Sequence, residues 1–180
     1  TESTDITLYS EKRHAVLAGY ELEPGETVTK SFNVNVESVY YNGTGLVEDN
    51  QINISLIGRY ACLSSVSIKE HESAGKTIWM CTDSTGCDQP AEIPYFPLRN
   101  YSGTGSALTK YINPEIAVSN QGEGGLTAGD SNHFNNAVEH MNEGDYLYVQ
   151  YRLNDSDPAS FKVNLEKYYT AACDKGAKLI

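Results

Sequence analysis

The sequence predicts an all-β protein, a jelly-roll-like sandwich of two β-sheets with two short helical inserts. Three observations lead there. The composition is a strand-and-loop palette, with 13 Tyr and 15 Gly, where a helical bundle would draw on Leu, Ala, Glu and Lys. Apolar residues recur with period two in several stretches bounded by turn residues. Helical spacing surfaces in only two places, and no fixed-period repeat stands out.

The elements follow in order. Residues 1–10 read as a strand, with Ile6 and Leu8 on one face and Thr7 and Tyr9 on the other. A charged knot, Glu11-Lys12-Arg13-His14, precedes the Pro24-Gly25 turn. Residues 28–36 are the cleanest strand pattern. Val28, Phe32, Val34 and Val36 face one way there, and Thr29, Ser31, Asn33 and Asn35 the other. Val39-Tyr40-Tyr41 runs into the Asn42-Gly43 turn, and Ile52, Ile54 and Leu56 alternate again. Residues 60–68 and 76–81 are two more strand candidates, the second holding Trp79. A Pro/Tyr/Gly-rich loop covers 88–105, and a short helix over 106–113 stops before Pro114. After a Gly-rich loop at 122–129, Asp130 or Ser131 caps a second helix through Phe134, Val138 and Met141, ended by Gly144. Leu147, Val149, Tyr151 and Leu153 then alternate against Tyr146 and Tyr148. Past a turn at 154–158, the alternation resumes at Phe161, Val163, Leu165, Lys167 and Tyr169.

A chain of 180 residues is one domain's worth of polypeptide. Its 13 basic and 24 acidic residues give a net charge of −11. That argues against nucleic acid or an anionic membrane surface as partner, since both need a basic face. No apolar run is long enough for a transmembrane helix. Three features point to an extracellular protein. There is no initiator Met, so Thr1 reads as the residue after a removed signal peptide. Four cysteines occur without a Cys-x-x-Cys pair. Bridging Cys81 to Cys87 closes a small loop over Thr-Asp-Ser-Thr-Gly and leaves Cys62 with Cys173 as the second disulfide. Asn42, Asn53, Asn100 and Asn154 are glycosylation sequons.

A catalytic set is not evident, so a non-enzyme is expected. Gly-x-Ser-x-Gly, His-Glu-x-x-His, Walker and dinucleotide motifs are missing. Gly122-Glu123-Gly124-Gly125 carries an acid where a phosphate would sit. His133 and His140 lie seven apart, without a third ligand, and read as exposed or capping residues. Carboxylates are the richer signal. Glu48 with Asp49, Glu123 with Asp130, and Asp155 with Asp157 sit in oxygen-rich loops of the kind that suits calcium. The first ten residues have two fates open to them, an ordinary edge strand of their own sheet or donation to a neighbouring copy by β-strand addition, where Ile6 and Leu8 would anchor them. Head-to-tail donation builds an open filament or tube.

The stretch Leu22-Glu23-Pro24-Gly25-Glu26-Thr27-Val28-Thr29-Lys30-Ser31-Phe32 resembles one found in TasA-like biofilm fibre proteins. Gly125-Leu126-Thr127-Ala128-Gly129, then Asp145-Tyr146-Leu147-Tyr148-Val149-Gln150-Tyr151, is similar to that family's glycine-rich loop and aromatic strand, and the 161–169 stretch to its closing strand. The four cysteines and the 88–105 loop depart from the pattern. The resemblance implies a secreted jelly-roll subunit polymerised by N-terminal donor strands. Within that group the archaeal cannula subunits, acidic glycosylated tube proteins that need calcium, fit best. Carried onto this sequence, residues 1–10 are the donor strand, with Asp5, Ile6, Thr7, Leu8 and Tyr9 as its core, and residues 11–180 are the sandwich. The expected partner is another copy of the chain. The alternative is a calcium-stabilised glycan-binding module with Trp79, Tyr95, Phe96 and Tyr101 as platform.

Overall fold

The computed structural model describes residues 2–11, 14–70, 76–88 and 102–180. The protein is a mixed α/β structure, which corrects the expected all-β jelly roll. In the N-terminal part, β1 (Thr4–Ser10), β2 (His14–Leu22) and β5 (Ile54–Ile57) form an antiparallel sheet in the order β2-β1-β5. A separate hairpin joins β3 (Val39–Tyr41) to β4 (Gly45–Val47) across the expected Asn42-Gly43 turn. Residues 28–36 and 61–68 pair into no strand, although both alternate. Period two supplies a face, but a strand also needs a partner edge, and neither stretch meets one here.

The expected donor residues Asp5, Ile6, Thr7, Leu8 and Tyr9 lie in the central strand of this sheet. Ile6 faces Tyr20 of β2, and Leu8 faces both Leu17 of β2 and Leu56 of β5. Both edges of β1 are thus occupied by its own chain, and Ile6 is buried. In this structure Thr4–Ser10 is thus paired within its own chain.

The C-terminal part explains the change of fold class. The strands β6 (Lys76–Thr82), β7 (Ile116–Asn120), β8 (Tyr146–Gln150) and β9 (Lys178–Leu179) form a wholly parallel sheet in the order β7-β6-β8-β9. Helices α1 (Thr104–Leu108), α2 (Asn132–His140) and α3 (Pro158–Lys175) lie in the three crossovers. Residues Ile78 to Thr82 of β6 are all buried, as expected of a strand covered on both faces. Trp79 and Cys81 pack with Ala137, Met141, Tyr168 and Ala172 on the α2/α3 side. Ile78 and Met80 pack with Val118 and Leu108 on the other. Asp145, itself buried, accepts hydrogen bonds from Thr77 N, Trp79 Nε1 and Asn142 N, each at 2.9 Å. Trp79 is therefore a core residue and not part of an exposed platform.

The stretch read as a closing strand is helix α3. Its apolar residues fit both periods: Phe161, Leu165, Tyr168 and Ala172 at i, i+4, i+7 and i+11 face the core, while Val163 and Tyr169 are exposed. The ends decide between the two. Asp157 accepts from Ala159 N and Ser160 N, Pro158 opens the first turn, and Gly176 closes the helix at φ 67°. The first two helices were legible: α1 begins two residues earlier than expected, and α2 ends before Gly144, which sits in the following turn at φ 87°. No helix among the described residues is long and apolar enough to cross a membrane.

Candidate active site

In the parallel sheet, β6 is first in sequence but lies between β7 and β8. The connections on its two sides run in opposite directions, and doubly wound sheets bind ligands at the carboxyl ends of the strands beside such a reversal. The loops that follow β6, β7 and β8 meet there.

The first is a tight turn. Asp83 O accepts from Gly86 N and Cys87 N, both at 3.1 Å. The buried Asp83 carboxylate accepts from Thr85 N at 2.9 Å and Thr85 Oγ1 at 2.7 Å. Asp83 N donates to Gln150 O at the end of β8. Thr82, Asp83, Gly86 and Cys87 are all buried, and Ser84 at the apex is exposed. The loop after β7 presses on this turn so closely that a Cβ on Gly122 would sit 2.0 Å from Thr82 Oγ1. Two residues on, a Cβ on Gly124 would lie 3.9 Å from that of Ser84, in ordinary contact.

The loop after β8 closes the third side. Asn154 Nδ2 donates to Leu126 O at 2.8 Å, and the Asp155 carboxylate accepts from Ala128 N at 3.1 Å. These bonds tie the β8 loop to the glycine-rich one. Arg152, at the start of that loop, has φ 143°, a conformation that L-residues other than glycine rarely adopt. Its guanidinium donates to Asp155 O. Such strain persists only where the surroundings over-determine it, and it clusters at functional sites. A polar network forms the rim: Gln150 Nε2 donates to Thr85 Oγ1 at 2.7 Å, and Thr104 Oγ1 and Tyr148 OH donate to Gln150 Oε1.

The structure brings together one of the expected carboxylate pairs. Glu123 Oε2 and Asp130 Oδ2 lie 3.1 and 2.9 Å from Nε2 and Nδ1 of His133. His133 is fully buried, with the Tyr40 ring edge-on at 5.2 Å, which corrects its reading as an exposed or capping residue. Burial raises the Asp130 pKa, but the hydrogen bonds and charge of His133 outweigh that and hold it below the ordinary value. The other expected carboxylates do not converge. Asp49 accepts from Gln51 N, Asp155 from Ala128 N and Asp157 from the first turn of α3, while Glu48 is exposed. Among the described residues no three His, Cys, Asp or Glu side chains are grouped to hold a metal ion.

The four cysteines are free thiols, so neither Cys62–Cys173 nor Cys81–Cys87 is bridged in this structure. Burial pushes the Cys81 thiol up to about 12 and Cys87 to about 11, so neither supplies a thiolate at neutral pH. Asn42, Asn53 and Asn154 are exposed. Asn100, with Tyr95, Phe96 and Tyr101 of the proposed platform, lies outside the described residues.

This arrangement defines a doubly wound α/β protein with a serine-bearing turn at the strand crossover. The solved structure of protein YxiM from Bacillus subtilis is similar to it, with a TM-score of 0.52 and 21% identity, over 99% of this chain and 50% of that one. The chain thus spans half the length of that protein, and the likeness concerns the fold. No family model matches the chain, and no curated protein matches it.

Sequence reading missed Ser84 and Asn154 as site residues. A signal was present. Asp83-Ser84-Thr85-Gly86 ends an unbroken apolar run, Ile78-Trp79-Met80-Cys81, and a run of that kind marks a buried parallel strand whose carboxyl end is the usual place for a site.

Proposed function

We propose that the chain carries the nucleophile-bearing half of a serine hydrolase site that cleaves esters. The observation that carries this reading is Ser84: an exposed residue at the apex of a tight turn flanked by buried residues, at the end of the central strand and against Gly124. In this reading Ser84 Oγ attacks the ester carbonyl carbon and its proton passes to a general base. The tetrahedral oxyanion is met by the N–H groups of Ser84 and Gly124 and by the Asn154 amide, which would exchange its bond to Leu126 O for the substrate. Collapse expels the alcohol, and water then releases the acid. The described imidazoles of His14, His133 and His140 are engaged with Asp88, with Asp130 and Glu123, and with Asn136 O respectively. The rim of Thr85, Thr104, Tyr148 and Gln150 favours a polar alcohol portion over a long acyl chain.

The test is covalent labelling of the intact protein with a fluorophosphonate, read by peptide mass spectrometry, beside turnover of p-nitrophenyl acetate. Ser84 is expected to take the label, and Ser84→Ala to lose it together with at least about a thousandfold in turnover. Label on another residue, or full turnover by Ser84→Ala, would refute the assignment.

A further inference from the structure

We propose that His133 is a positioning residue for Ser84, clamping the two ends of the 122–130 loop so that Gly124 is held against the serine. This rests on the hydrolase reading and adds the device that holds the site in register. The loop begins at Glu123, whose backbone N–H donates to Thr82 O, and ends at Asp130, whose backbone N–H donates to Thr127 O. Their side chains meet on opposite nitrogens of one buried ring. Each ring nitrogen lies within hydrogen-bond distance of one of the two carboxylates. Two carboxylates brought to the same buried place without that ring would repel each other across a void.

The remaining contacts of the loop leave a specific task to His133. Asn42 N donates to Glu123 Oε2 at 2.7 Å from the β3–β4 hairpin, and Lys167 Nζ donates to Asp130 O at 2.7 Å from α3. Asn154 and Asp155 hold the middle of the loop at Leu126 and Ala128. Among the described residues the imidazole alone joins the two ends to each other, and Gly124 lies one residue inside the clamp. A displacement of about 1 Å at a reacting group can cost a hundredfold in rate. A loop rich in glycine has little backbone stiffness of its own to resist one.

The experiment compares wild type, His133→Gln, Glu123→Gln and the double variant in the intact protein. Hydrogen exchange of the peptide covering 122–130 is read by mass spectrometry, and the rate of fluorophosphonate labelling at Ser84 is measured in parallel. In His133→Gln the loop peptide is expected to exchange at least about tenfold faster while β6 and β8 keep their protection, and Ser84 labelling to slow about tenfold. The double variant should label no more slowly than His133→Gln alone, because both changes open the same clamp. Should His133→Gln fail to fold, Glu123→Gln, on a side chain 26% exposed, carries the same expectations. Wild-type exchange in the loop, or an unchanged labelling rate beside a faster loop, overturns the proposal. If Ser84→Ala takes up label as fast as wild type, the hydrolase reading falls, and the exchange measurement still decides whether the clamp exists.

Discussion

The antiparallel and parallel sheets use the same residue types to opposite ends. In β2 the burial alternates toward its end, as in a strand with one wet face, and the strand reads directly from the sequence. In β6 burial is continuous from Ile78 to Thr82, because α1 packs on one side and α2 and α3 on the other. The antiparallel sheet borders long unpaired stretches, and it combines a local β1–β2 pair with the longer-range β1–β5 pair. The parallel sheet takes every partner from across a crossover. The candidate site lies on the second, because its crossovers bring three loops to one end of the sheet. Alternation therefore marks a strand only where a partner edge is present, whereas the unbroken apolar run of β6 leads into the candidate site.

The largest expected effect tests the role of β1. Deleting residues 1–10 removes the central strand of the antiparallel sheet, and circular dichroism with limited proteolysis should show that sheet lost. A truncated chain that stays folded and fails only to assemble would restore the donor-strand reading. Next is Asp145→Ala in the parallel sheet. It orphans Thr77 N, Trp79 Nε1 and Asn142 N, and urea unfolding should show a loss of about 3–5 kcal/mol. A loss under about 1 kcal/mol would mean that water replaces the carboxylate. Smaller and opposite in sign is Arg152→Gly, which relaxes the φ 143° backbone and should stabilise by about 1 kcal/mol. Destabilisation there would assign the guanidinium contacts more weight than the strain.

The smallest effect is in acid. The Asp130 carboxyl is held below its ordinary value, so its contribution is present above about pH 4, the unfolded carboxylate value, and is lost as pH falls through the lowered folded value. Asp130→Asn should therefore flatten the acid limb of the stability curve below about pH 4. An unchanged acid limb would show that His133 does not favour the ionised form.

Local features were legible in the sequence because their causes are local. The Asn42-Gly43 turn, the spacing of Phe134, Val138 and Met141 in α2, and the alternation of β8 all sit where their residues predict. The short run of β7 was passed over, since Ile116-Ala117-Val118 is too brief to show a period. The segment 161–169 suited a strand or a helix equally, and its caps settled the matter. What only the tertiary structure decided is the parallel pairing and, with it, the site. Ser84, Gly124, His133 and Asn154 are separated by up to 70 residues. Sequence spacing carries information over one or two helical turns or a strand, and strand order at longer range is set by which buried faces the crossovers must cover.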